Sequence, residues 1–325
     1  MPTENPSNLK GALFALAAFS LYATHDVVVK VLGATYTTFQ IIFFSVLLSF
    51  PLVVLTLMRD TQSGTLLPVH PWWTALRTGA AIITGLSVFY AFTVLPLAQV
   101  YTILFAMPLL ITILSIPILG EKVGFHRWAA VVVGLIGVLV VLRPGSAQLG
   151  IGHAAALIAA CASALASVIV RKIGREERST VLILYPMMAN FVLMAGVLPF
   201  VYEPMPIEHL GLVAVMASVA YAAGLMLITA YKMADAAVVA PMQYSQIIWA
   251  AIFGAVFFME APDQTTWIGA GIVIASGLYI VVREAVGGTT QASPVLRTRP
   301  RPTTATSPRS RHSIQRPPAG PAKTD

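Results

Sequence analysis

The chain alternates between long apolar runs and short polar stretches. From Ala98 to Leu119 no charged residue occurs, and Glu121 then arrives abruptly. Roughly 20 apolar residues at 1.5 Å rise span the hydrocarbon of a bilayer, so this run predicts one crossing helix. Comparable runs predict ten spans, at Gly11–Val31, Thr38–Met58, Trp73–Val94, Ala98–Leu119, Phe125–Leu142, Ile151–Val170, Thr180–Val201, His209–Tyr231, Ala236–Phe258 and Trp267–Val282. A transmembrane β-barrel would show short alternating segments instead. The expected fold class is therefore an all-α polytopic membrane protein with ten transmembrane helices.

The spans repeat. Glu121 and Trp128 recur as Glu260 and Trp267, both with E-x6-W spacing, at an offset of 139. Ala91, Phe92 and Ala98 map onto Ala230, Tyr231 and Ala237 at the same offset. Gly11, Lys30 and Gly33 match Gly152, Arg171 and Gly174 at an offset of 141. Such self-similarity marks a duplicated unit. The expected division is a cytoplasmic segment at 1–8, a first repeat at 9–145, a second at 146–286 and a tail at 287–325. Five spans per repeat is an odd number, so the second repeat must enter the membrane from the opposite side. That inverted topology is a common plan among secondary transporters. The tail turns to Pro, Arg, Ser and Thr, too polar to offset its ordering entropy by burial. It is expected to be disordered, basic and cytoplasmic, either simply solvated or touching anionic lipid.

Composition agrees with this pattern. Only 10% of residues are charged, against about 25% in soluble domains, and mean hydropathy is +0.81. The net charge of +7 belongs largely to the tail, with Arg297, Arg299, Arg301, Arg309, Arg311, Arg316 and Lys323. No basic, aromatic-interleaved module accompanies it, so nucleic acid is not an expected partner. With the N-terminus inside, inner segments hold Lys10, Arg59, Arg77, Lys122, Arg127, Arg171, Lys172, Arg175, Arg178, Lys232 and Arg283. Outer segments hold only Lys30 and Arg143. This bias places both termini in the cytoplasm. The first span is too long and too weakly basic at its start for a cleaved signal peptide. Cys161 is the one cysteine, so no intrachain disulfide forms; it is expected on a packed helix face.

Asp26 and His25 are the sharpest candidates for coupling or for lining a cavity, because an ionisable group inside a span is expensive and is kept where it has a use. The competing structural reading pairs Asp26 with Lys30 at i, i+4 on one helix face. Glu121 and Glu260, at equivalent span ends, are expected to take a packing and capping role at the tight link into the following helix. Pro108 and Pro241 interrupt the backbone ladder, which either frees carbonyls toward a cavity or fixes a kink. Gln99, Tyr101, Thr102, Gln243, Tyr244, Gln246 and Trp249 share these two spans. They form the candidate substrate-binding set, the amides offering hydrogen bonds and the rings faces for a flat or cationic ligand. Ala155, Ala159, Ser163 and Ser167 form a small-residue ridge for close helix contact, and Gly134, Gly137, Gly269, Gly271 and Gly277 read the same way. GLIG and GAG lack the preceding strand of a dinucleotide motif. No metal site and no cofactor are expected.

The strings FYAFTVLPLAQ at Phe89–Gln99, MPLLITILSIPILGE at Met107–Glu121, RWAAVVVGLIGVLVVLRPG at Arg127–Gly145, APMQYSQIIWAAIFGAVFFME at Ala240–Glu260 and WIGAGIVIASGLYIVVRE at Trp267–Glu284 resemble the drug/metabolite transporter superfamily with paired EamA domains. The chain is most similar to its bacterial branch of S-adenosylmethionine-uptake-like and riboflavin-uptake-like proteins. Members of that branch often carry Arg early in the second span, where this chain reads FFSVL with Ser45. The resemblance implies a secondary carrier of a small organic metabolite in the bacterial inner membrane, as monomer or homodimer, driven by protons or by exchange. The other classes weighed are a membrane enzyme and a channel-like subunit. Neither HExxH nor G-x-S-x-G occurs, nor a Walker motif for direct ATP drive.

Overall fold

The computed structural model describes residues 6–58, 66–121, 123–143, 149–174, 176–234 and 236–286. The first five residues, the tail from 287, and Arg59, Lys122 and Arg175 of the charge count lie outside the described residues. Among those described, every regular element is helical. The helices are α1 (Pro6–Gly33), α2 (Thr38–Met58), α3 (Pro71–Val94), α4 (Leu97–Leu104), α5 (Met107–Leu119) and α6 (Phe125–Leu142) in the first half. The second half has α7 (Ile151–Ile173), α8 (Ser179–Val201), α9 (Ile207–Met233), α10 (Ala236–Val239), α11 (Ser245–Phe258) and α12 (Gln264–Val286). A 3₁₀ turn at Ala240–Tyr244 joins α10 to α11. Hydrocarbon offers no hydrogen bonds, so each apolar run must satisfy its own backbone, which helices do.

Eight of these stretches are long and apolar enough to cross a membrane, counting α4 and α5 together as Leu97–Leu119. Helix α2 runs 21 residues, and the stretch from Ala236 to Phe258 is divided by its 3₁₀ turn. Each predicted run thus has a helical counterpart, with the runs of α4–α5 and α10–α11 interrupted near their middles.

The halves exchange helices. Helix α1 lies antiparallel to α9: Gly11 near its start approaches Ala230 O, where a Cβ would sit at 3.1 Å. Just past the other end of α1, Tyr36 Oη bonds His209 Nδ1 at 2.6 Å. Reciprocally α7 lies against α3, with Gly152 at Leu95 and Lys172 Nζ 4.4 Å over the Trp73 ring at the far end. Helices α6 and α12 close the structure through bare backbone contact. A Cβ on Gly137 would meet Gly269 O at 3.0 Å, and one on Gly269 would meet Gly137 O at 2.6 Å. This is the close approach that small residues permit between membrane helices.

Helices α5 and α11 end alike. Gly120 (φ 71°) and Met259 (φ 55°), equivalent at the offset of 139, both adopt the left-handed conformation. That cap turns the chain back on the helix end, and the next residue in each case is glutamate. Its N–H then bonds Ser115 O at 3.4 Å or Gly254 O at 2.9 Å. Glycine takes this φ freely; methionine does so at a cost of about 1–2 kcal/mol.

The exterior is apolar. Phe125, Phe200 and Ile207 are more than 80% exposed, a surface suited to lipid rather than water. Cys161, expected on a packed face, is exposed instead. Ala155 and Ala159 of the small-residue ridge are buried, and Ser163 reaches Met107 Sδ at 3.0 Å. Gly271 departs from the packing assignment, since a Cβ there would meet nothing within 4 Å.

Two outcomes follow from these contacts. Gly269→Ala forces a methyl onto a backbone oxygen and should lower stability by about 1–3 kcal/mol, whereas Gly271→Ala should leave the melting temperature of the purified protein unchanged. Asp263, which caps α12, provides the second. Its Oδ1 accepts the Thr266 N–H at 3.0 Å, its Oδ2 accepts the Thr265 hydroxyl at 3.0 Å, and Arg143 pairs with it. Burial pushes this carboxyl up, but the hydrogen bonds from Thr266 and Thr265 and the Arg143 charge outweigh that and hold it below its usual range. A depressed folded-state value gives stability that is present above the unfolded value, about 3.9, and lost as pH falls through the folded one. Asp263→Asn should therefore flatten the decline of melting temperature below about pH 4.

Candidate functional site

Asp26 sits in the body of α1, buried at 9% exposure. A carboxylate there needs donors, and three helices bring them. The ring of His25 places Nδ1 2.8 Å from Asp26 Oδ1. The Tyr101 hydroxyl, on α4, donates to Asp26 Oδ2. Gln246, in the first turn of α11, completes the line by donating Nε2–H to Tyr101 Oη at 3.4 Å. Rings surround it: Phe89 meets His25 edge-on at 5.9 Å, and Phe92 and Phe105 lie 5.5 and 6.0 Å from Tyr101.

The broken helices put the cluster where it is. Helix α4 stops at Leu104, Phe105 and Ala106 form a turn, and α5 begins at Met107 with Pro108 in its first turn. Pro241 stands in the first turn of the 3₁₀ segment. Proline cannot donate to the residue four back, so both spans lose regular helix at closely matching places. Phe105 and Tyr244 are equivalent at the offset of 139 and touch each other, centroids 5.2 Å apart at 75°. Such a contact between equivalent residues is what a two-fold relation between the halves produces at its axis. The Tyr244 hydroxyl occupies the space that a Cβ on Gly277 would need.

The cluster itself is one-sided. Counterparts of His25, Asp26, Tyr101 and Gln246 in the other half are Ala166, Ser167, Ala240 and Met107. The scaffold positions repeat while these do not.

The Asp26–Lys30 pair expected on one helix face does not form. Lys30 Nζ instead lies 2.6 Å from Glu260 Oε1, donates to Leu95 O at 2.5 Å and stands 5.2 Å over the Phe258 ring. Glu260 Oε2 also accepts the Leu97 N–H at 3.4 Å, at the start of α4. In the other half Arg171 Nη2 meets Glu121 Oε1 at 2.5 Å. The two glutamates are thus not caps of the following helix, a role that Asp263 takes for α12. Each binds the first helix of the opposite half. Glu121 Oε2 is buried without a hydrogen-bond partner among the described residues. These pairs were legible in principle, since all four residues are equivalent two by two, but a local i, i+4 reading of Lys30 concealed them.

The remaining candidates divide. Gln99 Nε2 lies 3.1 Å from His153 Nε2, away from Asp26. Thr102 is fully buried and returns its hydroxyl to Ala98 O at 2.8 Å. Trp249 is half-buried against Phe253, centroids 5.9 Å apart. Gln243 is half-buried in the 3₁₀ turn. Among the described residues no group of three or more His, Cys, Asp or Glu is placed to hold a metal ion. Phe89 and Phe105 were missed because single aromatics in an apolar run carry no signal.

The two related halves and the broken central helices define a polytopic helical membrane protein, and the family and relatives it matches are transporters of small molecules. The profile of the EamA-like transporter family matches residues 9–143 and again 150–282, and the chain belongs to that family. It is 28% identical to the S-adenosylmethionine uptake transporter of Rickettsia prowazekii, over 85% of this chain and 94% of that one. It is 30% identical to the riboflavin transporter of Rhizobium johnstonii over 66% and 72% of the two chains. Identity to the pseudopaline exporter of Pseudomonas aeruginosa is 26% over 84% and 93%. A crystal structure superposes with a TM-score of 0.54 at 19% identity, covering 86% of this chain and 99% of the other, which establishes the shared fold. The resemblance read from the motifs is confirmed.

Tyr101→Phe leaves a buried carboxylate short of a donor and should cost about 1–3 kcal/mol of stability. Thr102→Val removes only a bond to its own helix, and its melting temperature should stay close to wild type in the same thermal scan.

Proposed function

We propose that the protein is a ten-span secondary carrier of the bacterial inner membrane, with both termini cytoplasmic, and that it works by alternating access. Its five-helix halves, 9–145 and 146–286, have inverted topology and rock about the contact between Phe105 and Tyr244. A small organic metabolite binds beside that contact, against Tyr101, Gln243, Tyr244, Gln246 and Trp249, while Gln99 and Thr102 steady α4. His25 and Asp26 serve coupling, through protons or through exchange of one solute for another. Each chain carries a complete site, so a monomer suffices and a homodimer would hold two.

The observation that carries this reading is the line His25–Asp26–Tyr101–Gln246, joining three helices where both central spans are broken. Buried charge in a span is kept near water, a partner or a cargo. Here Lys30, the lysine on the same helix, is engaged by Glu260, and Asp26 is held by His25 and Tyr101 instead. Positive charge supports the orientation: Lys10, Arg77, Arg127, Arg171, Lys172 and Lys232 fall on one side, Lys30 and Arg143 on the other. The relatives named for S-adenosylmethionine, riboflavin and pseudopaline make these the first solutes to try, with amino acids beside them in the panel.

Binding is found by thermal shift across such a metabolite panel, and transport by counterflow of the labelled hit in proteoliposomes. Saturable counterflow is expected; flux that is linear in concentration and shows no counterflow would indicate a channel. Asp26→Asn should abolish the pH dependence of transport, and an unchanged pH profile would remove Asp26 from coupling.

A further inference from the structure

We infer that Lys30–Glu260 and Arg171–Glu121 are two opposed gates, one at each mouth of the carrier, and that Arg171–Glu121 is the weaker. The inference rests on the alternating-access reading and adds the residues that close each side.

The pairs are equivalent by descent from the duplication, at offsets of 141 for the cations and 139 for the carboxylates. Each ties the first helix of one half to the end of the broken span of the other. They lie at opposite ends of the structure. Lys30 is on the part of α1 that meets the start of α9, where Tyr36 bonds His209. Arg171 is on the part of α7 that meets the start of α3, where the His70 N–H donates to Glu177 Oε1 at 2.6 Å. Both cation side chains are 9% exposed. Separating such a pair in a dry interior leaves two uncompensated charges. Each pair therefore parts only when water reaches it, which happens when its own mouth opens.

The two carboxylates are not equally fastened. Glu260 Oε2 accepts the Leu97 N–H. At the other end Lys172 donates to Ile118 O at 2.9 Å, a bond that bypasses the carboxylate, and Glu121 Oε2 is buried with no hydrogen-bond partner among the described residues. A buried oxygen without a donor favours the hydrated, open arrangement.

The test uses the full chain carrying Cys161→Ala, with one cysteine placed by Ser167→Cys at the position equivalent to Asp26. A membrane-impermeant maleimide is added to either face of oriented proteoliposomes. With both gates intact, labelling from the Arg171 face should exceed that from the Lys30 face. Lys30→Met should raise labelling severalfold from the Lys30 face alone, and Arg171→Met from the opposite face alone. The reversed pair Lys30→Glu with Glu260→Lys should restore protection. Should a cation variant fail to fold, Glu260→Gln and Glu121→Gln carry the same expectation. Labelling that rises from one common face, or stays unchanged, overturns the gates; equal labelling of the parent from both faces overturns their ranking. Counterflow of labelled S-adenosylmethionine, riboflavin and amino acids by the parent protein is measured alongside. Its absence overturns the carrier reading itself, whereas counterflow with labelling indifferent to the pairs overturns this inference alone.

Discussion

A charge inside hydrocarbon has no water to lean on, and an isolated Lys, Arg or Asp at the centre of a span costs about 2.5–3.5 kcal/mol on insertion scales. Among the described residues, the two ionic contacts between the halves whose cations are buried answer that constraint. Lys30 and Glu260, and likewise Arg171 and Glu121, find one another across the duplication rather than within a helix. Neither half alone could bury its own cation. The two units are thereby obliged to fold against each other, and the exchanged pairs α1 with α9 and α7 with α3 follow from the same obligation.

Charge pairing fixes register, while small residues fix distance. At Gly137 and Gly269 the backbones of α6 and α12 meet with no side chain between them. Contact of that kind gains dispersion energy on both sides and tolerates little sliding. Around the broken central spans the packing is of another type, built from Phe92, Phe105 and Tyr244 rings at tilted or edge-on angles. Rings in such arrangements can shift past one another more readily than interlocked backbones. The molecule thus has a tightly joined flank and a more adjustable centre.

Much of the fold was legible because the bilayer imposes a length, and length is visible in a sequence. Each apolar run became a helix. The interruptions were foreshadowed by Pro108 and Pro241 and fell where those residues stand. The site was legible only in part. Asp26, Tyr101 and Gln246 could be named as polar residues in apolar spans, but their line depends on which faces of α1, α4 and α11 meet, and nothing local encodes that. The partners that Glu121 and Glu260 find in the opposite half were hidden for the same reason. A dipole argument weighs only near neighbours, while a buried counter-charge from the other half offers far more. The offset between repeats held the missing information, because two residues at equivalent places with opposite partners at equivalent places imply reciprocal contacts.

Duplication leaves most positions free to stay alike, so a difference at the axis is informative. In the rocking proposed above, the contact of Phe105 with Tyr244 is its own counterpart, so the two residues keep each other in both arrangements. Their rings are alike in outline, yet one bears a hydroxyl and the other does not. A pivot with unlike ends cannot weigh the two arrangements equally, and the empty carrier must rest with a built-in lean toward one of them.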